Sequence, residues 1–135
     1  MSGTSSEEAG NLDVVRRGFE AFQTGDAEAL MKTFAPDAHY HFAPAGKLTG
    51  DYHGVPAIME FFGQVAHETE GTFRVTPVEM AASGNRVFVL YRTNGKRGGK
   101  TLDTSDVGVF TLAGGVVTEG MICPGDYPAG AAFWS

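Results

Sequence analysis

Apolar residues recur every three or four positions in the first half of the chain. In much of the second half they recur every second position, a change of period that marks helices followed by strands. Leu12, Val15, Phe19 and Phe22 share one helical face, with Ser5-x-x-Glu8 upstream as a capping box. Thr24-Gly25-Asp26 reads as a stop and a restart, since glycine ends one helix and aspartate caps the next. The second helix carries Ala27, Leu30, Met31 and Phe34 and is expected to stop at Pro36. A short strand is expected from Asp37 to Phe42, then a rim loop with Pro44, Gly46 and Gly50. A third helix follows from about Gly54, with Pro56 in its first turn and Ile58, Phe61, Phe62 and Val65 on one side.

From Thr72 onward the pattern is that of a meander, with strands over 72–82, 86–93, 100–112 and 116–123. Ser83-Gly84-Asn85, the stretch from Asn94 to Gly99, and Ala113-Gly114-Gly115 are the turns between them. Pro77 should bend or bulge the first of these strands, because proline cannot donate to a central ladder. The expected fold class is α+β. Three N-terminal helices pack in the concave face of a curved, mainly antiparallel sheet, forming a cone with a pocket between the layers.

With 135 residues there is room for one core and one cavity. Residues 11–135 read as a single domain and residues 1–10, rich in Ser, Gly and Glu, as a flexible solvated tail rather than a signal peptide. A net charge of −6 with no basic stripe argues against nucleic acid as partner. No apolar run approaches the ~20 residues of a membrane span. One cysteine, Cys123, excludes an internal disulfide framework and suits a reducing, cytoplasmic compartment. The expected partner is an apolar small molecule, and no cofactor is called for.

Period-two alternation across 100–112 puts Leu102, Thr104, Asp106, Gly108, Phe110 and Leu112 on one face. Asp106 is the one carboxylate in the middle of that face. Buried in a pocket, it could serve as a general acid or base, or donate to an enolate. The alternative is a structural carboxylate bonded to a backbone amide or to Arg92. His39-Tyr40-His41-Phe42 sends its histidines to one side of a strand and Tyr40 and Phe42 to the other. An H-x-H pair can ligate a metal with help from Asp37, His53 or His67, but zinc needs three or four convergent ligands and no second spaced pair is present. We therefore expect no metal, with His41 as a polar group at the pocket or its rim. Tyr40, Tyr52 and Tyr91 could each turn a phenol into the cavity. Phe133 and Trp134 are expected to dock the chain's end onto the domain or to lid the pocket. No histidine is spaced to activate Cys123 as a nucleophile.

The runs from Ala21 to Leu30 and from Phe34 to Ala38 resemble the opening of SnoaL-like proteins of the nuclear transport factor 2-like superfamily. Gly50-Asp51-Tyr52-His53-Gly54, Phe61-Phe62 and the ending Pro124-Gly125-Asp126-Tyr127 with Phe133-Trp134 add to the likeness. It extends from about Asn11 to Ser135. That family includes ketosteroid isomerases, polyketide cyclases and epoxide hydrolases, so the resemblance implies a pocketed cone and a homodimer rather than one reaction. Asp106 in Asp-Val-Gly-Val-Phe is similar to the oxyanion-hole aspartate of the isomerases. Where their general base and oxyanion tyrosine would fall, this chain has Phe42 and Gly18. The arginine that limonene-type epoxide hydrolases place two residues before a strand aspartate is here Thr104. What remains is an isomerase or cyclase acting by proton transfer on a polyketide- or ring-type substrate. Asp106, His41 and Tyr40 are its candidate catalytic groups, and Phe42, Tyr52, Phe61, Phe62, Tyr91, Phe110 and Trp134 its substrate contacts. Two readings without chemistry stand beside it, a small-molecule-binding module and a dimerisation domain.

Overall fold

Ser5 starts the first helix. Its hydroxyl accepts from the Glu8 amide at 3.1 Å while the Glu8 carboxylate accepts from the Ser5 amide at 2.9 Å. This satisfies two of the groups that a helix end otherwise leaves without partners. The computed structural model describes residues 5–43 and 46–135, so residues 1–4 of the expected tail and Pro44 of the expected rim loop lie outside the described residues. Helix α1 spans Ser6–Thr24 and thus takes in half of the segment read as a tail. Gly25 ends it at φ 73°, and the Asp26 side chain caps α2, Ala27–Lys32, through the Ala29 amide at 3.1 Å.

Helix α2 is shorter than the apolar spacing suggests, and β1, Phe34–Phe42, begins two residues after it. Phe34 and Pro36 therefore belong to a strand and not to the helix. The cause is Thr33, whose hydroxyl donates to the Leu30 carbonyl at 2.7 Å and whose own carbonyl accepts from Val117 of the sheet at 2.8 Å. Pro36 is tolerated because the pairing of β1 is irregular between Phe34 and His39. Strand β2, Gly50–His53, and helix α3, Val55–Glu68, follow. Four long strands come next: β3, Arg74–Ser83; β4, Arg86–Arg97; β5, Lys100–Ala113; and β6, Val116–Pro124. Helix α4, Tyr127–Trp134, ends the chain. Neither β2 nor α4 is expected from the pattern. The first is only four residues long, and Gly130, Ala131 and Ala132 give the second no apolar periodicity. Strand β4 also runs further than expected, so its turn shrinks to Gly98-Gly99.

The strands form one open sheet in the order β2-β1-β6-β5-β4-β3, and the helices pack on one side of it. All neighbours are antiparallel except β1 and β6, which run parallel, so the sheet is mixed. The register of β3 against β4 shifts between Pro77 and Glu79, the bulge expected of that proline. Val87, Val89, Tyr91 and Thr93 of β4 are buried in strict alternation and face Val15 of α1 and Ile58, Phe61 and Val65 of α3 across one core. Among the described residues no helix is long and apolar enough to cross a membrane.

Helix α4 closes one end of this core. Phe133 and Trp134 are each 1% exposed. Arg97 Nη1 donates to the Phe133 and Ser135 carbonyls at 3.0 and 2.8 Å, and its Nε pairs with Glu68 at 2.9 Å. Lys47 reaches the same carboxylate at 3.1 Å. Hydrogen bonds from Arg97 first and Lys47 second hold Glu68 below the usual glutamate range. Since folding lowers this pKa, the contribution is present above the unfolded-state value and is lost as pH falls through the folded one. Melting curves from neutral pH down to about pH 3 should therefore show Glu68→Gln less stable than wild type at neutral pH, with the difference closing in acid. A constant gap at every pH would contradict this role.

Candidate functional site

The face of β5 expected to carry Asp106 does turn toward the helices: Leu102, Asp106, Gly108, Phe110 and Leu112 are all buried there. Between this face and helices α1 and α3 lies a cavity of about 100 Å³. Tyr40, Phe42, Phe61, Phe62, Tyr91, Phe110 and Trp134 line it, as does Asp106. The structure thus brings together all but two of the candidate residues.

Asp106 is 8% exposed. It stands opposite Tyr91 of β4 on one side and Pro124 of β6 on the other. Oδ2 accepts from the Thr93 hydroxyl at 2.6 Å and Oδ1 from the Gly125 amide at 3.1 Å. Each oxygen keeps acceptor capacity beyond that one bond. Arg92 does not reach it; on the outer face of the sheet it pairs with Asp103 and donates to Ser105 Oγ at 3.1 Å. No Lys, Arg or His lines the cavity among the described residues. Gly125 is required by geometry, because a Cβ there would lie 1.9 Å from the Ser105 carbonyl oxygen. Only glycine lets the chain pass close enough for its amide to meet Asp106.

Tyr40 and Tyr91 are 8% and 5% exposed, and neither phenol hydroxyl has a hydrogen-bond partner among the described residues. Burial, and after it the charge of Asp106, pushes the Tyr40 phenol well above its usual range. Tyr91 is raised by burial first, then by Tyr40 and Asp106. Both therefore stay neutral donors at ordinary pH. The Tyr40 ring lies over Gly120 of β6, where a Cβ would meet it at 2.8 Å and the Phe110 ring at 3.3 Å. Phe19 of α1 packs edge-on against Tyr91 and Phe110, at centroid distances of 5.2 and 6.0 Å.

Two candidates stand elsewhere. The Tyr52 hydroxyl donates to the Leu48 carbonyl at 2.6 Å and its ring packs 4.4 Å from Phe61, behind the cavity wall. His41 is on the outer face of the sheet, hydrogen-bonded to Asp51, because alternation along β1 sends it opposite to Tyr40. There His39 stacks on His53 at 4.2 Å and lies 3.4 Å from Asp51 and 3.9 Å from Glu119. No three His, Cys, Asp or Glu side chains are placed to hold a metal ion among the described residues. Sequence reasoning missed Thr93 and Gly125, the two partners of Asp106, and Phe19 as a wall. The signal for Thr93 was its position: a hydroxyl two residues past Tyr91 on a buried face.

A family model described as a SnoaL-like domain matches residues 15–120. An uncharacterized protein of Mycobacterium tuberculosis is 33% identical over 126 residues, covering 93% of this chain and 96% of its own. The solved structure of Bal32a, from a soil-derived mobile gene cassette, superposes with a TM-score of 0.93 at 34% identity, covering 96% of this chain and 100% of that one. A putative SnoaL-like polyketide cyclase from Jannaschia sp. CCS1 has a TM-score of 0.83 at 22% identity, over 100% of this chain and 98% of that chain, a likeness of fold.

Two outcomes check the geometry. Gly125→Ala should lower stability by about 1–3 kcal/mol in urea unfolding, since the added methyl cannot be accommodated without moving backbone. Thr93→Val, which removes a donor from a buried carboxylate, should cost about 1–3 kcal/mol, whereas Thr104→Val should cost much less. Equal losses at 93 and 104 would show that the Thr93 bond contributes nothing.

Proposed function

The chain belongs to the SnoaL-like domain family, with its polyketide-cyclase-type fold, and within that family we propose that it catalyses proton transfer on a small, largely apolar carbonyl compound held in the cavity. The observation that carries this reading is a buried carboxylate with no cation beside it in the cavity, together with two phenols that have no acceptor among the described residues. A carbonyl oxygen in the cavity accepts from a Tyr40 or Tyr91 hydroxyl. Asp106 takes a proton from the adjacent carbon, the negative charge moves to the oxygen facing the phenol, and the proton returns at the same or another carbon. Isomerisation and ring closure both pass through such an enolate. Phe42, Phe61, Phe62, Phe110 and Trp134 exclude water and position the ring. His41 and Tyr52 take no part in this arrangement.

Phe42 and Gly18 line the cavity. By the resemblance, it therefore keeps the oxyanion-hole aspartate of a ketosteroid isomerase as Asp106 but has no carboxylate where that enzyme's general base would fall and no phenol where its oxyanion tyrosine would. Thr104 likewise stands where an epoxide hydrolase of the limonene type would have arginine. One observation favours a second reading, a binding module without chemistry: both Asp106 oxygens already accept hydrogen bonds from Thr93 and Gly125.

Incubating the protein with a small cyclic ketone in D2O separates the two. The proton-transfer reading expects the protein to speed deuterium entry beside the carbonyl, with Asp106→Asn slowing it by about 10²–10⁴-fold and leaving the melting temperature near that of wild type. Binding of the ketone without any acceleration would leave the binding module.

We also propose that a second copy covers the outer face of the sheet. Phe88, Leu90, Val107 and Met121 are 39, 40, 37 and 42% exposed there, and Leu90 stands directly across the ladder from Val107. Adjacent exposed apolar side chains of this size mark an interaction surface. Leu90→Glu should convert a dimer to a monomer in analytical ultracentrifugation; a monomeric wild type would refute the interface.

A further inference from the structure

The dimensions and chemistry of the cavity restrict its ligand further than the proton-transfer reading requires. We propose that the ligand is a neutral carbonyl compound of a single ring, rather than a multi-ring or a charged one. The inference rests on that reading for the use of the carbonyl, and on three independent features for the size and charge.

The first feature is volume. The cavity holds about 100 Å³, against roughly 150 Å³ for an apolar protein cavity that holds benzene and ~300 Å³ at which pockets for drug-sized ligands begin. One six-membered ring therefore enters only with small shifts of the surrounding side chains, and a second fused ring has no room. Its walls are fixed by one another. Phe61 is packed against Tyr40, Phe42 and Tyr52 at 5.7, 4.9 and 4.4 Å, and Trp134 is held between Phe42, Phe73 and Phe133 at 6.3, 5.9 and 4.8 Å. Admitting a second fused ring would break several of these contacts at once, and close-packed interiors resist that.

The second feature is charge. No cationic side chain lines the cavity among the described residues, and of its two carboxylates Asp106 faces the space while Asp126 caps α4 through the Ala129 amide at 3.0 Å. A ligand carboxylate or phosphate would enter an apolar space beside a like charge with no counter-ion, which is heavily disfavoured. The third feature is the donor set. Two phenols, both neutral, offer hydrogen atoms that no described residue accepts. A ketone oxygen satisfies them. An ammonium ion would pair with Asp106 but could use the phenols only as acceptors, leaving their O–H groups without an acceptor.

The test is a binding panel with one shape and varied chemistry: cyclohexanone, cyclohexane, cyclohexanecarboxylate, cyclohexylammonium and the two-ring 2-decalone. Thermal shift and calorimetry are read on wild type, Tyr40→Phe and Tyr91→Phe. The proposal expects cyclohexanone to bind about tenfold or more tightly than the carboxylate, the ammonium ion and the decalone. At least one phenylalanine variant should lose the preference for cyclohexanone over cyclohexane while still binding cyclohexane, which shows that the cavity is intact. Tighter binding of decalone or of either ion overturns it, as does an unchanged ketone preference in both variants. Deuterium entry beside the carbonyl, followed in the same samples, keeps the two proposals apart. Selective cyclohexanone binding without exchange ends the catalytic reading and leaves the ligand class standing. Exchange on decalone but not on cyclohexanone does the reverse.

Discussion

Asp106 can occupy an apolar cavity only because two donors from the protein meet it there, and much of the molecule is arranged so that they do. Thr93 reaches it because β4 runs beside β5 in register, with the hydroxyl two residues from Tyr91 on the same face. Gly125 reaches it because the chain leaving β6 passes so close to Ser105 that no side chain would fit. An isolated carboxylate would be too costly at that depth. These bonds make the charge tolerable without neutralising it by a cation. That is the condition under which a buried acid is both stable and available to a ligand.

The aromatic groups around it follow from the same constraint. A sheet with one buried face needs apolar side chains at every second position, and this chain supplies rings. Glycine at 120 gives Tyr40 and Phe110 room to lie along the sheet instead of standing out from it. Edge-to-face contacts between Phe19 of α1 and Phe110 of β5, and between Phe62 of α3 and Tyr40 of β1, then fix the rings without filling the space between them. Two of those rings carry hydroxyls that the protein does not use. Both belong to buried tyrosines, and they sit beside Asp106, the buried carboxylate among the described residues.

The second half of the fold was largely legible in the sequence because period-two alternation is strong in β4 and β5, and it grouped Asp106 with Leu102, Phe110 and Leu112 on one face without fixing which side of the sheet that face would turn to. The first helix was legible from its capping box and from Gly25. Helix α4 was not, since alanine and glycine between Pro128 and Phe133 carry no periodic signal and only the packing of Phe133 and Trp134 makes the segment helical. The end of α2 was misplaced because Phe34 continues the helical spacing although its backbone is drawn into the sheet through Thr33. Among site residues, alternation separated Tyr40 from His41 correctly, but the expectation that His41 stays near the pocket treated a strand as if both its faces could be used. Thr93 had a signal in its place on the buried face of β4, but Gly125 had none, because a hydrogen bond between a strand and a turn nineteen residues later depends on a close backbone approach that spacing does not encode.

The central claim is that the unpartnered phenols and Asp106 form one ligand site. A crystal structure of the protein soaked with cyclohexanone tests it most directly. The account predicts the ketone inside the cavity, its oxygen within hydrogen-bonding distance of the Tyr40 or Tyr91 hydroxyl and a ring carbon beside the Asp106 carboxylate. A cavity occupied only by ordered water bridging the phenols to Asp106, with the ketone absent or bound elsewhere, would contradict it.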